Sequence, residues 1–223
     1  MQIKPVGLTG ALISFPSVIS DDNADRIAVL ADAIVKAHIP GMIELVPAFA
    51  SLYVRYTPME TDFSAVSAAI EAVSGTDATD MTHNGKTVEI PVCYGGDYGP
   101  DLSFVASHSG LSQEEVIRIH SGHPYRIHML GFLPGFPYLG GLDPRLQTPR
   151  LASPRSQIPA GSVGIGGSQT GVYPMASPGG WQLIGRTPRT LFVPGRPLPY
   201  QSGDWIRFVP ITETEYAALE ADT

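Results

Sequence analysis

Between Gly131 and Gly180 the chain carries eleven glycines and eight prolines, 19 of 50 residues, where average usage gives about six. Helix interiors do not absorb this density, because proline removes a backbone donor and glycine costs conformational entropy. The stretch GFLPGFPYLGG (131–141) concentrates the constraint, with four glycines, two prolines and three aromatics in eleven positions. Bulky side chains on so punctuated a backbone predict a shaped loop leaving a strand at 125–130. Phe132, Phe136 and Tyr138 then pin that loop to a core or to a partner. Short β segments survive between the breaks at 125–130, 162–165, 181–185, 190–193 and 205–209. Many short strands with Gly/Pro turns predict a barrel or sandwich.

The first ninety residues read differently. Residues 6–15 are apolar and end in Phe15-Pro16, a strand and its stop. The next segment, 20–38, opens with acids and spaces Ile27, Leu30, Ala31, Ile34 and Val35 as a helix does. Strands are expected at 42–46 and 52–56, a helix at 61–74 and a strand at 87–94, where Pro91 predicts an edge or a bulge. This β-α-β-β-α-β order is the ferredoxin-like pattern. A further helix is expected at 112–120, capped by Ser112, and the Thr212-x-x-Glu215 box predicts a final short helix. The expected organisation is therefore α+β, with a small domain over 1–90 and a β domain over 91–223.

Hydrophobic residues make up 43% of the 223, enough to bury a proper core. The net charge of −7 argues against nucleic acid as the main partner. A lone cysteine, Cys93, excludes an intrachain disulfide. The N-terminal stretch MQIKPVGLTGALISF has one lysine and no long apolar run, so a soluble, cytoplasmic chain without a membrane anchor is expected. The charge is uneven. All three lysines precede residue 87, while residues 125–207 hold eight arginines and two acids, a formal +6 (8 − 2). Arginine's planar fork suits carboxylate and phosphate oxygens; the alternative is pairing with acids of the N-terminal half or with loop carbonyls.

The run GSVGIGGSQTG (161–171) invites a phosphate-loop reading that its residues do not support. A Walker loop needs Lys-Ser/Thr after the last glycine, and here Ser168 and Gln169 follow Gly166-Gly167. The dinucleotide spacing also fails, leaving tight-turn structure or a backbone nest for an anion. Gly166-Gly167-Ser168 is similar to the serine-rich stretch of amidase-signature hydrolases, but no lysine follows Lys86 to activate a serine. No G-x-S-x-G marks a triad. His120, His123 and His128 lack a carboxylate or cysteine to complete a metal set, so no metal is expected. Strand alternation places Arg126 and His128 on one face, opposite Tyr125, Ile127 and Met129. That pair is either a carboxylate or oxyanion contact or part of a solvated barrel face.

The motifs GFLPGFPYL (131–139), Pro149-Arg150, Pro154-Arg155, PAGSVGIGGSQTGVYP (159–174) and SPGGWQLIGRT (177–187) together closely resemble one family. It includes the B-type chain of prokaryotic 5-oxoprolinase, the Kip-type kinase inhibitor and proteins described as allophanate hydrolase subunit 1, the carboxyltransferase subdomain C and D family. Length and layout match over essentially the whole chain. The resemblance implies a small ferredoxin-like α+β domain followed by a cyclophilin-like β-barrel. It implies a second, C-type subunit with a related barrel and a third, A-type subunit. With these the family's enzyme opens 5-oxoproline to L-glutamate, with ATP and Mg at the level of the complex and none evident in this chain alone. A chain inactive on its own and acting on a small anionic substrate is expected. The other roles the resemblance allows are an inhibitory module for a sensor histidine kinase and an allophanate hydrolase or urea carboxylase-type accessory subunit. Polar groups in the matching motifs extend the substrate-binding candidates to Arg126, His128, Ser168, Gln169, Tyr173, Gln182 and Arg186.

Overall fold

The computed structural model describes residues 1–18, 20–75 and 85–221. The chain divides into two compact units, Met1–Asn84 and Gly85–Thr223. The division falls ahead of the 87–94 strand, which therefore lies whole in the second unit.

In the first unit, β1 (Gln2–Val6) and β2 (Gly10–Ser14) form an antiparallel hairpin, so the expected single strand at 6–15 is in fact a turn followed by a strand. Gly7 turns the chain with φ of 59°, and exposed Leu8 in that turn hides it from a hydrophobicity reading. The helix α1 (Asp21–Lys36) is capped by Ser20, whose side chain accepts from the Asn23 backbone N–H. Buried Asn23 donates its amide to the carbonyls of Pro16 and Val18, fixing the entry to the helix. Next come β3 (Met42–Pro47), β4 (Ser51–Tyr56) and α2 (Phe63–Val73), the last capped by Asp62. The antiparallel sheet runs β1-β2-β4-β3, and Ile13, Leu52 and Val54 meet Ile27, Ile34, Val66 and Ile70 in its core. The ferredoxin-like expectation fails in one respect: β1 fills the fourth place in the sheet, and the strand expected there belongs to the barrel.

That strand, β5 (Thr87–Tyr94), opens the second unit. Two helices follow, α3 (Leu102–Ser109) and α4 (Gln113–Ser121), and the second has the expected cap as a full box between Ser112 and Glu115. The short α3 was not foreseen, because eight residues give barely two turns of periodicity. Then come β6 (Tyr125–Leu130), β7 (Pro137–Leu139), β8 (Arg155–Ile158), β9 (Ser162–Gly166), β10 (Gln169–Val172), β11 (Ser177–Gly179), β12 (Gln182–Arg186), β13 (Trp205–Ile211) and α5 (Glu213–Ala221). Thr212 and Glu215 form the expected box before α5.

Seven strands close a barrel in the order β10-β7-β6-β13-β5-β12-β9, while β8 and β11 form a separate two-stranded ribbon. Pro91 lies within β5, which is paired on both sides, and not at an edge. The β12 ladder reaches only Cys93 and Tyr94, so it makes no demand on the donor Pro91 lacks. The strand expected at 190–193 does not form, because a closed barrel has no free edge to receive it; Leu191 is buried in the core without a ladder. The opening loop also differs from expectation, since Pro137–Leu139 joins the barrel wall between β6 and β10.

Inside the barrel a polar chain is fully paired. The Thr170 hydroxyl donates to the Gly164 carbonyl at 3.0 Å, so it accepts from His120 Nε2 at 2.8 Å. His120 Nδ1 is then the acceptor for the Tyr94 hydroxyl at 2.8 Å. Phe208 stacks on the imidazole with ring centroids 4.8 Å apart. Burial, with the nearby His123, lowers the His120 pKa from 6.5 to about 3.

The glycine run is a hairpin. Gln169 pairs with Gly166, and the two-residue turn has positive φ only at Gly167, the type II′ arrangement. The Gly167 N–H donates to the Thr148 carbonyl at 2.8 Å, so it is not offered to an anion. Gly166 has a different duty: a Cβ there would stand 2.5 Å from the indole of Trp181, which lies against the barrel wall.

Two measurements follow from these contacts. Below pH 6.5 the unfolded chain protonates His120 while the native one does not, so this residue's contribution is complete above pH 6.5 and declines as pH falls toward 3. The stability gap between wild type and His120→Gln, from urea unfolding, is expected to narrow by up to about 1.4 kcal/mol per pH unit below 6.5; a constant gap contradicts the buried neutral histidine. Gly166→Ala is expected to lose about 1–3 kcal/mol by overpacking and to shift tryptophan emission. Gly167→Ala is expected to lose about 1 kcal/mol through backbone strain, with emission unchanged.

Candidate functional site

The segment that crosses the barrel wall between the short helical turn Pro144–Leu146 and β8 is tied down at many points. Thr148 and Gly167 exchange backbone hydrogen bonds. Gln182 Nε2 donates to the Pro149 carbonyl at 2.9 Å, and the Leu151 N–H donates to the Gly180 carbonyl at 2.7 Å. Arg155 pairs with Asp101 at 2.7 Å, and the second oxygen of that carboxylate accepts from the Leu183 N–H at 2.6 Å. Asp101 stands at the start of α3 but makes no side-chain cap there; its oxygens join the helix to β8 and β12.

Between this segment and the wall is a cleft of about 300 Å³. Phe136, Tyr173 and Trp181 belong to one buried cluster, with edge-to-face contacts to Phe136 at centroid distances of 5.1 Å (Tyr173) and 5.5 Å (Trp181). Tyr138 meets the same ring at 5.0 Å. Pro178, Gly179 and Gly180 form one side, Leu151 and Pro154 another. Phe132 stands on the rim, 62% exposed, with φ of 67°. A bulky residue held in the left-handed region costs about 1–2 kcal/mol, and such strain clusters at functional sites.

Arg150 is the one charged residue lining the cleft. Its guanidinium lies 5.8 Å from the Trp181 ring. Burial pushes the Tyr173 hydroxyl up to about 12, with the Trp181 backbone N–H and the Arg150 charge pulling the other way. Burial also raises Tyr138, again opposed by Arg150. Both phenols stay protonated at neutral pH.

The residues expected to touch substrate do not converge. Tyr173 lines the cleft. Gln182 is 3% exposed and holds Pro149 beneath it. Ser168 is exposed at the hairpin tip and Gln169 is half-buried at the start of β10. Arg186 is at the end of β12, its guanidinium over the rings of Tyr98 and Tyr216 at 5.0 and 5.6 Å. Arg126 and His128 are on β6, opposite the core residues Tyr125 and Ile127, and each is 6% exposed, so that face is not solvated. The His128 ring packs on Gly140, where it leaves no room for a Cβ. Arg150, Trp181 and Phe136 were not among the expected site residues, although each sits in a motif that carries the resemblance. The signal for them was the pairing of large rings with glycines across the segments 131–139 and 159–187.

The arginine-rich window resolves in part as ordinary pairing. Arg145 meets Asp143, Arg155 meets Asp101, Arg207 reaches Glu89, and Arg189 bonds the Glu89 carbonyl. Arg150 and Arg186 meet rings instead, no carboxylate among the described residues pairs with either, and of the two only Arg150 lines the cleft.

Comparison with known proteins places this arrangement. The carboxyltransferase domain, subdomain C and D, family matches residues 1–201. The B-type chain of 5-oxoprolinase from Bacillus subtilis (strain 168) is 44% identical over 234 residues, covering 100% of this chain and 98% of its own length. The protein of the same name in Escherichia coli O157:H7 is 42% identical over 215 residues, covering 93% and 95%. Among solved structures, TTHA0988 matches with a TM-score of 0.81 and 37% identity, covering 92% of this chain and 40% of that one. With the match running through both units and through every motif that builds the cleft, the chain belongs to the carboxyltransferase domain family of subdomains C and D.

Proposed function

We propose that this chain is the B-type component of a 5-oxoprolinase, contributing to the active site of a multi-subunit enzyme that opens 5-oxoproline to L-glutamate at the expense of ATP. The observation that carries this is identity of 44% and 42% to two proteins that bear the name of that component, over nearly the full length of each. The cleft supports it, because the rings and the arginine that form it come from the family-matching motifs and suit a flat anionic substrate. In the overall reaction the lactam C–N bond breaks, a water oxygen adds to the carbonyl carbon, and the nitrogen leaves as the glutamate amine.

No nucleotide loop is assigned to this chain in this reading. The phosphate-loop-like run is a hairpin whose turn N–H is bonded to Thr148, so no phosphoryl step is assigned to this chain. ATP and its magnesium belong to the A-type or C-type partners in this reading, and the barrel, of the cyclophilin-like type, adjoins a related barrel in the C-type subunit. A cytoplasmic location is part of the same proposal. Among the described residues no helix is long and apolar enough to cross a membrane.

Co-expression with the two partner subunits and an assay for glutamate formed from 5-oxoproline tests the proposal. Product that depends on ATP and on all three chains is expected, and an assembled complex that forms none overturns it. The purified single chain is expected to show no turnover with 5-oxoproline and ATP; glutamate from that preparation refutes the shared-site reading.

A further inference from the structure

We propose that the aromatic cleft is the binding site for a small monocarboxylate with a flat, uncharged body. The body lies against Trp181 and Phe136, Arg150 holds the carboxylate, and the Tyr173 hydroxyl donates to a second ligand oxygen. The cleft volume of about 300 Å³ is at the small end for ligand sites. Its lining contains no acid and one cation, Arg150, for which no described carboxylate is a partner. Arg145, Arg155 and Arg207 of the same basic window are each paired with an acid, so their charge is already answered.

Arg150 is also presented by a fixed backbone. The residue before it is held through its carbonyl by Gln182, and the residue after it through its N–H by Gly180. Stacking near the Trp181 ring leaves the N–H edge of the guanidinium for a bidentate carboxylate contact. This preorganisation lowers the ordering cost of binding. Tyr173 is 2% exposed yet lines the cleft, and no carbonyl or carboxylate among the described residues accepts its hydroxyl proton. A neutral donor beside a cation suits an acid that also carries a carbonyl oxygen. The inference rests on the proposed function only for the identity of the acid, 5-oxoproline; the ligand class is set by the cleft.

Isothermal titration of the purified full chain tests it with three probes: 5-oxoproline, cyclopentanecarboxylate and 2-pyrrolidinone, which keeps the lactam ring without the carboxylate. Both acids are expected to bind, and the neutral lactam at least about tenfold more weakly. Arg150→Gln is expected to weaken the acids by about 10- to 100-fold and leave the lactam unchanged. Arg150→Lys recovers part of the loss, and Tyr173→Phe gives a smaller loss for 5-oxoproline than Arg150→Gln does. Arg189→Gln, outside the cleft, changes nothing. No acid binding, equal binding of acid and neutral lactam, or wild-type affinity in Arg150→Gln overturns the proposal. Arg150→Gln in the assembled complex separates the two readings. Glutamate formation with an unaltered KM sinks the cleft assignment and leaves the proposed function intact. Arg150-dependent acid binding in a chain whose complex forms no glutamate does the reverse.

Discussion

The second unit depends on the parallel pairing of its first and last strands. Seven consecutive positions of β5, Thr87 to Cys93, align with Trp205 to Ile211 of β13. Parallel neighbours cannot be joined by a tight turn, so everything between them must leave the pair on one side and return on the other. Here that intervening chain is two helices and seven barrel or ribbon strands. Because the barrel closes on itself, no edge remains to take further strands. The Gly/Pro-rich connections are therefore confined to lie over the wall, and one of them, around Arg150, forms the outer side of the cleft.

The wall is shaped to receive that connection. Gly166 brings the Trp181 indole against β9, closer than any Cβ permits. Once the indole is flat on the wall, Phe136 and Tyr173 meet each other edge to face, and Arg150 has a ring to lie on. Two polar groups beside this cluster make internal contacts: Gln182 holds the Pro149 carbonyl, and Asp101 holds the Arg155 guanidinium and the Leu183 N–H. The result is a rigid apolar floor with a single positive charge at its margin, an arrangement that favours one orientation of an anionic ring.

Legibility differed between the two units for a physical reason. The helices α1, α2 and α4 have caps and apolar periods within their own segments, and the sequence reading placed them to within two residues. Strand β6 was read with its bounds, and its alternation separated Arg126 and His128 from the core face. What failed were readings that needed a partner. The β1–β2 hairpin looked like one strand because its turn contains Leu8. The segment 190–193 looked like a strand because nothing local says that the barrel is already full. Thr87–Tyr94 was assigned to the first sheet by order alone, although its β13 partners lie more than a hundred residues away.

The sequence by itself determined the α+β class, the helix ends, the Gly/Pro-driven β character of residues 131–180 and, through long motifs, the family. These are local properties, written in caps, periodicity and turn chemistry. Tertiary structure alone decided which glycines serve turns and which serve close approach. It also decided that Gln182 and Arg186 make internal contacts, and that Arg150 remains without a described acid beside a cluster of rings. That outcome depends on side chains brought together from the positions flanking β7, β10 and β12 and from the loop before β8. No local pattern encodes it, because charge pairing and ring packing are settled only once the barrel closes.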